Sequence, residues 1–430
     1  MIRLALALAL TVLALPARAL EIQDVTSPGG IRAWLVEDHS IPFTALEIRF
    51  EGGTALDAPG KRGAVNLMAA LIEEGTGDLD AQAFANARDG LGAEMQFRAG
   101  QDSVAISARL LTESRDQAAD LLARALAAPR FDPEAVERVR GQVLSNLRSD
   151  AKNPEVLAAQ AFDRLAWGDH PYGTSGDGTE ASVKALSRDD LVSAHQAALA
   201  RDRVFVAAVG DIDAKALGKL LDRVLGDLPA TGAAQPPRAE YRLKGGLTVV
   251  QNPTPQAVVV FGHEGIKRAD PDYFAAHILN EILGGGRFTS RLMTELREKR
   301  GLTYGVGTYL ASMDLGELVM GQFATQNATA SQAVEVLRAE WARAAEGVSA
   351  EELAAAKTYL TGSYPLRFDG NGPIAAILVG MQMERLPIDY AETRNDKIEA
   401  VTLDDVARVA RSLIRPEDLH IVVLGQPEGL

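Results

Sequence analysis

The chain has 430 residues, of which 47% are hydrophobic and 24% are charged, and it carries a formal net charge of −14. This composition is typical of a globular protein of about two domains, and it excludes a disordered or fibrous chain. The acidic balance makes nucleic acid a poor partner, and the absence of cysteine excludes a disulfide-stapled module and a cysteine nucleophile.

The first predicted element is a leader over residues 1–19. Arg3 precedes an apolar run, Leu4 to Leu15, that is shorter than the roughly 20 residues needed to span a bilayer. Ala17 and Ala19 form a small-x-small cleavage site. The pattern predicts a secretory signal peptide cleaved near Ala19, and so a periplasmic or secreted protein. A buried terminal helix or an uncleaved anchor fits these residues less well. No later apolar run reaches membrane length, so we expect no membrane span.

The elements that follow occur twice along the chain, as an internal repeat. Each copy has a strand pair, then a helix with a marked N-terminus, and later a helix capped by Ser or Thr that leads into an apolar strand ending in glycine. The paired landmarks are Ile31 and Gly246, Asp132 and Ser349, Ser187 and Thr402, and Gly210 and Gly425. Matching blocks in the same order indicate two homologous halves.

We assign the halves to residues 20–228 and 241–430, joined by a Pro-, Gly- and Ala-rich linker at 229–240. The predicted strands bunch together and do not alternate one for one with helices. This order favours an α+β fold in which each half is a mainly antiparallel sheet with helices packed on one face. Two such halves facing each other would leave a cleft between them.

No catalytic centre is apparent from short motifs. The serine-hydrolase elbow G-x-S-x-G and the P-loop are absent, and the glycines at 284–286 follow a predicted helix, whereas a dinucleotide fingerprint follows a strand. A zinc-peptidase helix needs two imidazoles one turn apart, but no two of the six histidines lie three to five residues apart.

One segment nevertheless carries a specific pattern. The stretch from Gly284 to Tyr304 reads GGGRFTSRLMTELREKRGLTY, and residues 170–173 read HPYG. Together with the duplication, these features resemble the pitrilysin/insulinase family of zinc peptidases over essentially the whole mature chain. The resemblance implies the duplicated α+β fold and a zinc-dependent peptidase ancestry.

Active members of that family carry an inverted H-x-x-E-H motif shortly before a Gly-Thr pair. Counting back from Gly75, the family's two histidines fall on Asn66 and Ala70, its base glutamate on Ala69, and its third ligand near Asn146. Alanine cannot bind a metal or move a proton, and asparagine is a feeble zinc ligand. The resemblance therefore implies no zinc site in this chain. We expect the helix to serve packing, with these core residues: Val65, Leu67, Met68 and Leu71.

Active members also need an arginine and a tyrosine from the second half, and Arg297 and Tyr304 resemble that pair in spacing. In the family the arginine holds a substrate backbone carbonyl, and the tyrosine hydroxyl donates to the oxyanion. We expect Ser290 or Thr289 to cap the intervening helix and Gly301 to end it.

Two interpretations fit the three consecutive glycines that precede this pair. Gly284, Gly285 and Gly286 are predicted to permit close approach of a substrate backbone, and a plain flexible helix end fits equally well.

The resemblance therefore implies that this chain carries the arginine and tyrosine of the family's active site and lacks its zinc ligands and base. The first hypothesis is a zinc-less subunit of a heterodimeric metallopeptidase, which supplies Arg297 and Tyr304 to a homologous zinc-bearing partner that hydrolyses peptides. This chain would need no cofactor, because zinc belongs to the partner. The alternative is a catalytically silent scaffold or peptide-binding protein of the same fold.

Overall fold

The structure is a computed structural model that describes residues 21–430, so the predicted leader lies outside the described residues. The first half contains eight strands and eight α-helices. Its strands are β1 Gln23–Thr26, β2 Arg32–Glu37, β3 Phe43–Glu51, β4 Gly75–Thr76, β5 Leu79–Asp80, β6 Glu94–Ala99, β7 Ser103–Leu111 and β8 Val204–Gly210. Its helices are α1 Ala64–Leu71, α2 Ala81–Gly90, α3 Arg115–Ala127, α4 Pro133–Asp150, α5 Pro154–Trp167, α6 Glu180–Ala185, α7 Arg188–Ala198 and α8 Ala214–Leu225.

The second half repeats this plan with fewer elements. Its strands are β9 Gly246–Gln251, β10 Gln256–Glu264, β11 Val306–Met313, β12 Gly316–Gln326 and β13 His420–Gly425. Its helices are α9 Tyr273–Gly284, a π-helix over Met293–Glu298, α10 Ala330–Ala345, α11 Ala350–Ser363, α12 Asn371–Met383, α13 Tyr390–Ala400 and α14 Leu403–Leu413. Residues 229–240 contain no helix or strand.

Each half builds one main sheet, and the two sheets share a topology. The strand orders are β1-β2-β8-β3-β7-β6 in the first half and β11-β12-β10-β13-β9 in the second. The last strand of each half enters parallel to one neighbour, as β8 does beside β2 and β13 beside β9, while the other pairs in these sheets are antiparallel. The predicted α+β fold of two related, mainly antiparallel halves is confirmed.

The predicted helix starts are mostly confirmed. Ser187, Ser349 and Thr402 each cap a helix and take part in a capping box. Asp132 does not cap α4 with its side chain; its carboxylate instead accepts from Arg130 Nε at 2.6 Å. The Arg130 guanidinium carries a full positive charge, whereas the backbone N–H groups at that helix end do not, and it is the donor that this carboxylate takes.

The main core of each half lies between its sheet and its own helices, and the opposite sheet face is covered by one helix of the other half. Helix α12 packs on the first sheet through Leu378 and Val379. Helix α5 packs on the second sheet through Phe162 and Trp167, which are 0% and 2% exposed. Burying each of these aromatic side chains contributes about 2–3 kcal/mol. The two helices occupy the space between the halves where the sequence predicts a cleft.

Helices in the described part of the chain are all too short or too polar to cross a bilayer. None within residues 21–430 combines 18 or more residues with a sufficiently apolar window.

Candidate functional site

Arg297 is positioned by a short helix that ends in a fixed way. Leu292 and Leu296 are fully buried and anchor its inner face. Gly301 adopts the left-handed conformation, with φ at 60°, and its N–H donates to the carbonyl of Arg297 at 2.9 Å. The N–H of Leu302 donates to the carbonyl of Leu296 at 2.8 Å. This is the expected glycine stop, and it turns the chain back toward the Arg297 side.

Two details of this helix differ from the sequence prediction. Its bonding is π-type over Met293–Glu298, a form that is rare outside special sites. Neither predicted residue caps it: the Ser290 hydroxyl is buried without a hydrogen-bond partner, and Thr289 is exposed. The cap prediction is wrong because Ser290 faces the core, where its hydroxyl cannot reach the free backbone N–H groups.

Tyr304 stands on a loop held by hydrogen bonds on both sides. The hydroxyl of Thr303 donates to the Gly305 carbonyl at 2.9 Å, and the Gly305 N–H donates back to it at 3.2 Å. The hydroxyl of Thr325 on β12 donates to the Leu302 carbonyl at 2.7 Å. The Tyr304 side chain itself is 93% exposed. Its phenol is therefore presented to solvent by an ordered backbone.

Arg297 and Tyr304 line one cavity of about 660 Å³. Its walls come from the 301–305 loop, from β10 and β12 of the second sheet, and from the start of α5, which belongs to the first half. Among the residues that the structure describes, Glu155 at that start and Arg297 are the only charged ones in the wall. The remaining lining residues are Gln256, Val258, Gly301, Leu302, Thr303, Gly305, Gln322, Phe323, Ala324, Thr325 and Gln326.

The guanidinium of Arg297 is held mainly by an aromatic ring. Its central carbon lies 4.4 Å from the centre of the Phe288 ring. The nearest carboxylate is that of Glu298, at 3.8 Å from Arg297 Nε. The Arg297 side chain retains 30% of its exposure. The arrangement leaves N–H donors available to a carbonyl or carboxylate that enters the cavity.

The first half has no comparable constellation at the family's metal positions. On α1, Asn66 and Ala70 are half-buried and Ala69 is buried. Asn146 is exposed on α4, where its amide oxygen accepts from Gln142 Nε2 at 3.0 Å. The predicted core residues of α1 are confirmed, each 0% exposed: Val65, Leu67, Met68 and Leu71. Within residues 21–430 no three His, Cys, Asp or Glu side chains are grouped to hold a metal ion.

Comparison with known families supports the resemblance. Residues 32–179 match the family described as insulinase (peptidase family M16), and residues 185–360 match the peptidase M16 inactive domain. The chain belongs to peptidase family M16. A non-peptidase homolog named YmxG from Helicobacter pylori is 26% identical over 390 residues, covering 90% of each chain. An uncharacterized zinc protease of Streptomyces coelicolor is 27% identical over 409 residues, covering 91% of this chain and 87% of the relative.

Solved structures agree with the M16 assignment. A peptidase M16 inactive domain from Pseudomonas fluorescens superposes with a TM-score of 0.88 at 29% identity, covering 95% of this chain and 98% of that one. A protease from Helicobacter pylori superposes with a TM-score of 0.85 at 16% identity, covering 94% and 99%, and shows the shared fold alone.

At the positions where active M16 peptidases carry their metal ligands, this chain has side chains that are unsuited to binding zinc. Zinc sites use thiolate, imidazole or carboxylate ligands, whereas the motif positions hold Asn66, Ala69 and Ala70. The described structure gives Asn146 a surface hydrogen bond instead of a role as a ligand. These residues therefore provide no site at which a zinc ion could assist a reaction.

The three glycines of this M16 chain lie outside the wall of the Arg297 cavity, so their expected contact with a substrate backbone stays a prediction. A Cβ on Gly284 would lie 2.6 Å from Thr308 Oγ1, and one on Gly285 would lie 2.2 Å from Glu281 Oε2. Gly286 has φ at 85°, in the left-handed region. Close packing and a backbone reversal between α9 and the π-helix explain this run.

Two residues at the site were missed by sequence reasoning. Phe288 lies inside the matched segment, where an exposed aromatic after three glycines is a usable signal. Glu155 reaches the cavity only because α5 crosses to the other half, and a local sequence pattern cannot report that crossing.

Proposed function

We propose that this chain is the zinc-less subunit of a heterodimeric M16 metallopeptidase. The observation that carries the proposal is the pairing of Arg297 and Tyr304 on one solvent-open cavity, in a chain whose metal-ligand positions hold no ligand. Catalysis by such a pair requires groups from two subunits to meet at one carbonyl.

The two side chains suit complementary tasks. The Arg297 guanidinium is a rigid set of donors and would hold a backbone carbonyl beside the scissile bond. The Tyr304 hydroxyl would donate to the oxyanion that develops during attack on the peptide. A donor aimed at developing charge contributes about 3–4 kcal/mol in comparable sites. Because Tyr304 is 93% exposed, its phenol can reach beyond this chain.

The proposed partner is a homologous M16 subunit that supplies zinc and the general base. The substrates would be peptides or unfolded segments, which can thread an extended backbone past the cavity. We propose that this chemistry takes place in the periplasm or outside the cell, and the sequence pattern of a leader at residues 1–19, with cleavage near Ala19, supports that location.

A reconstitution assay with Tyr304→Phe tests the proposal. The chain is mixed with a zinc-bearing M16 homologue exported by the same cell, and peptide hydrolysis is followed. Removing the hydroxyl is expected to lower kcat about 100-fold, because one oxyanion donor is lost. Tyr309→Phe is the matched control, since Tyr309 is also exposed, at 48%, but lies outside the cavity wall. Full turnover in the Tyr304→Phe mixture would refute the assigned role.

A silent scaffold or peptide-binding role remains the second candidate. It is favoured by the relative from Helicobacter pylori whose name states that it is not a peptidase. A scaffold should copurify with a larger assembly and add nothing to the peptidase activity of a zinc-bearing homologue, whereas a catalytic subunit should raise that activity.

A further inference from the structure

The turn between α9 and the π-helix brings an aromatic side chain against Arg297. The Phe288 ring centre lies 4.4 Å from the guanidinium carbon, and the ring is 61% exposed. Phe288 does not line the cavity into which Arg297 opens. The ring therefore contacts the guanidinium without forming part of the cavity wall.

This contact suits an arginine that must bind something else. A carboxylate partner would occupy N–H donors, whereas an aromatic face attracts the cation through its π-system and leaves the donors at the guanidinium edge free. Glu298, at 3.8 Å from Nε, is too distant to form a tight ion pair. The ring can thus fix the direction of Arg297 without consuming its hydrogen-bonding capacity.

The turn itself is anchored at the residue before the ring. Arg287 Nε donates to Glu281 Oε1 at 2.6 Å, and the Glu281 side chain on α9 is 8% exposed. The Arg287 guanidinium also lies 4.6 Å from the Tyr359 ring centre on α11. Gly285 lacks the Cβ that would collide with Glu281. A partly buried ion pair and a ring contact thus both hold Arg287, the residue directly before Phe288.

We propose that Phe288 is a positioning residue for Arg297, and that the Glu281–Arg287 pair positions Phe288. The inference rests on the proposed function, in which Arg297 binds the substrate carbonyl. It adds that the arginine is set in its binding direction before substrate arrives, by a stacking ring and an anchored turn. Binding groups that are already ordered lose less entropy when the ligand arrives.

The first test uses the full chain alone. Arg297 is modified with phenylglyoxal, and the rate is followed by peptide mapping, with the ion-paired Arg408 as an internal reference. Phe288→Leu keeps apolar bulk but removes the ring, and should speed modification of Arg297 about two- to five-fold, while Phe288→Tyr restores the slow rate. Arg287→Ala should speed it as well. Equal rates in the Leu and Tyr variants would overturn the proposal.

The second test separates this inference from the proposed function. In the reconstituted peptidase, Phe288→Leu should raise KM about two- to five-fold with little change in kcat, whereas Tyr304→Phe lowers kcat. If Arg297→Ala leaves hydrolysis unchanged, the proposed function fails, and the modification rates still decide whether Phe288 holds the arginine. If Arg297→Ala abolishes hydrolysis while Phe288→Leu leaves KM unchanged, the positioning role fails alone.

Discussion

At the scale of single residues, the polar groups of this molecule divide into those held by a partner and those left without one. Arg297 rests on a ring and Tyr304 projects into solvent, so both keep hydrogen-bonding capacity. Asp163 on α5, in contrast, is a charged group whose burial costs stability. Burial raises the pKa of its carboxyl to about 7, and within residues 21–430 no ion pair offsets that burial. An acid left in this state destabilises the native protein wherever it is ionised.

The Asp163 carboxyl predicts a pH-dependent effect on stability. Its folded pKa, about 7, lies above the reference value of 3.8, so the native state binds the proton more tightly than the unfolded chain does. The cost is absent below about pH 4, grows as pH rises, and is complete above pH 7. Asp163→Asn should therefore stabilise the protein by up to about 4 kcal/mol at pH 8 and little near pH 4.

Urea unfolding at both pH values measures this difference. Asp169→Asn is the matched control, because Asp169 is an exposed carboxylate just beyond the same helix. A gain in the Asp163 variant that is equal at pH 4 and pH 8 would contradict the assignment of its pKa.

Single-residue predictions from the sequence succeeded where a local rule decides the structure. Gly301 ends its helix and Leu67 packs inward on α1 because both follow from helix geometry. Ser290 failed as a cap because its orientation depends on the surrounding core. The substrate contacts expected of Gly284 and Gly285 stay a prediction; the close approach of Gly284 to Thr308 on β11 depends on the folded chain and could not be predicted locally.

At the scale of elements, the exchange of helices between halves decides where the cavity forms. The start of α5 brings Glu155 to the Arg297 cavity, and the end of the same helix wedges Trp167 against β12. A Cβ on Gly316 would lie 2.7 Å from Trp167 Cη2. The fit between this helix and the second sheet therefore depends on a glycine at the first residue of β12.

Gly316→Ala should weaken the contact between α5 and the second sheet. The added methyl group must displace a fully packed indole, so we expect a loss of about 1–3 kcal/mol in the free energy of unfolding. Gly141→Ala is the control, since Gly141 lies inside α4 with open space around its missing Cβ, and alanine there should stabilise by about 0.5–1 kcal/mol. Thermal or urea unfolding compares the two; an unchanged stability for Gly316→Ala would contradict the packing described.

At the scale of the whole molecule, the duplicated sequence produces two related sheets joined by reciprocal packing. Direct hydrogen bonds also link the halves: the Leu315 N–H donates to the Tyr172 hydroxyl at 2.9 Å, and the Asp314 N–H donates to Asp102 Oδ2 at 3.3 Å. The two halves are thus bonded directly to each other. The Arg297 cavity lies mainly on the second half, and helices α1 and α4, which hold the family's metal positions, lie in the first half.

The order of elements and the duplication were predictable because each repeat carries its own caps, strands and terminal glycine. The insertion of β8 and β13 into their sheets and the crossing of α5 and α12 were not, since they depend on contacts between residues far apart in sequence. The family's metal positions could be assigned only through the resemblance, by counting back from Gly75. The shared cavity of Arg297 and Tyr304 required the folded chain.

The central claim is that this chain contributes donors to a metal centre on another polypeptide. The most direct measurement is peptide hydrolysis by the purified chain, by a zinc-bearing M16 homologue from the same cell, and by their equimolar mixture, with zinc content determined for each. We predict hydrolysis in the mixture well above either protein alone, with zinc only in the homologue. Hydrolysis by this chain alone with one zinc bound per molecule, or a mixture no more active than the homologue, would contradict the account.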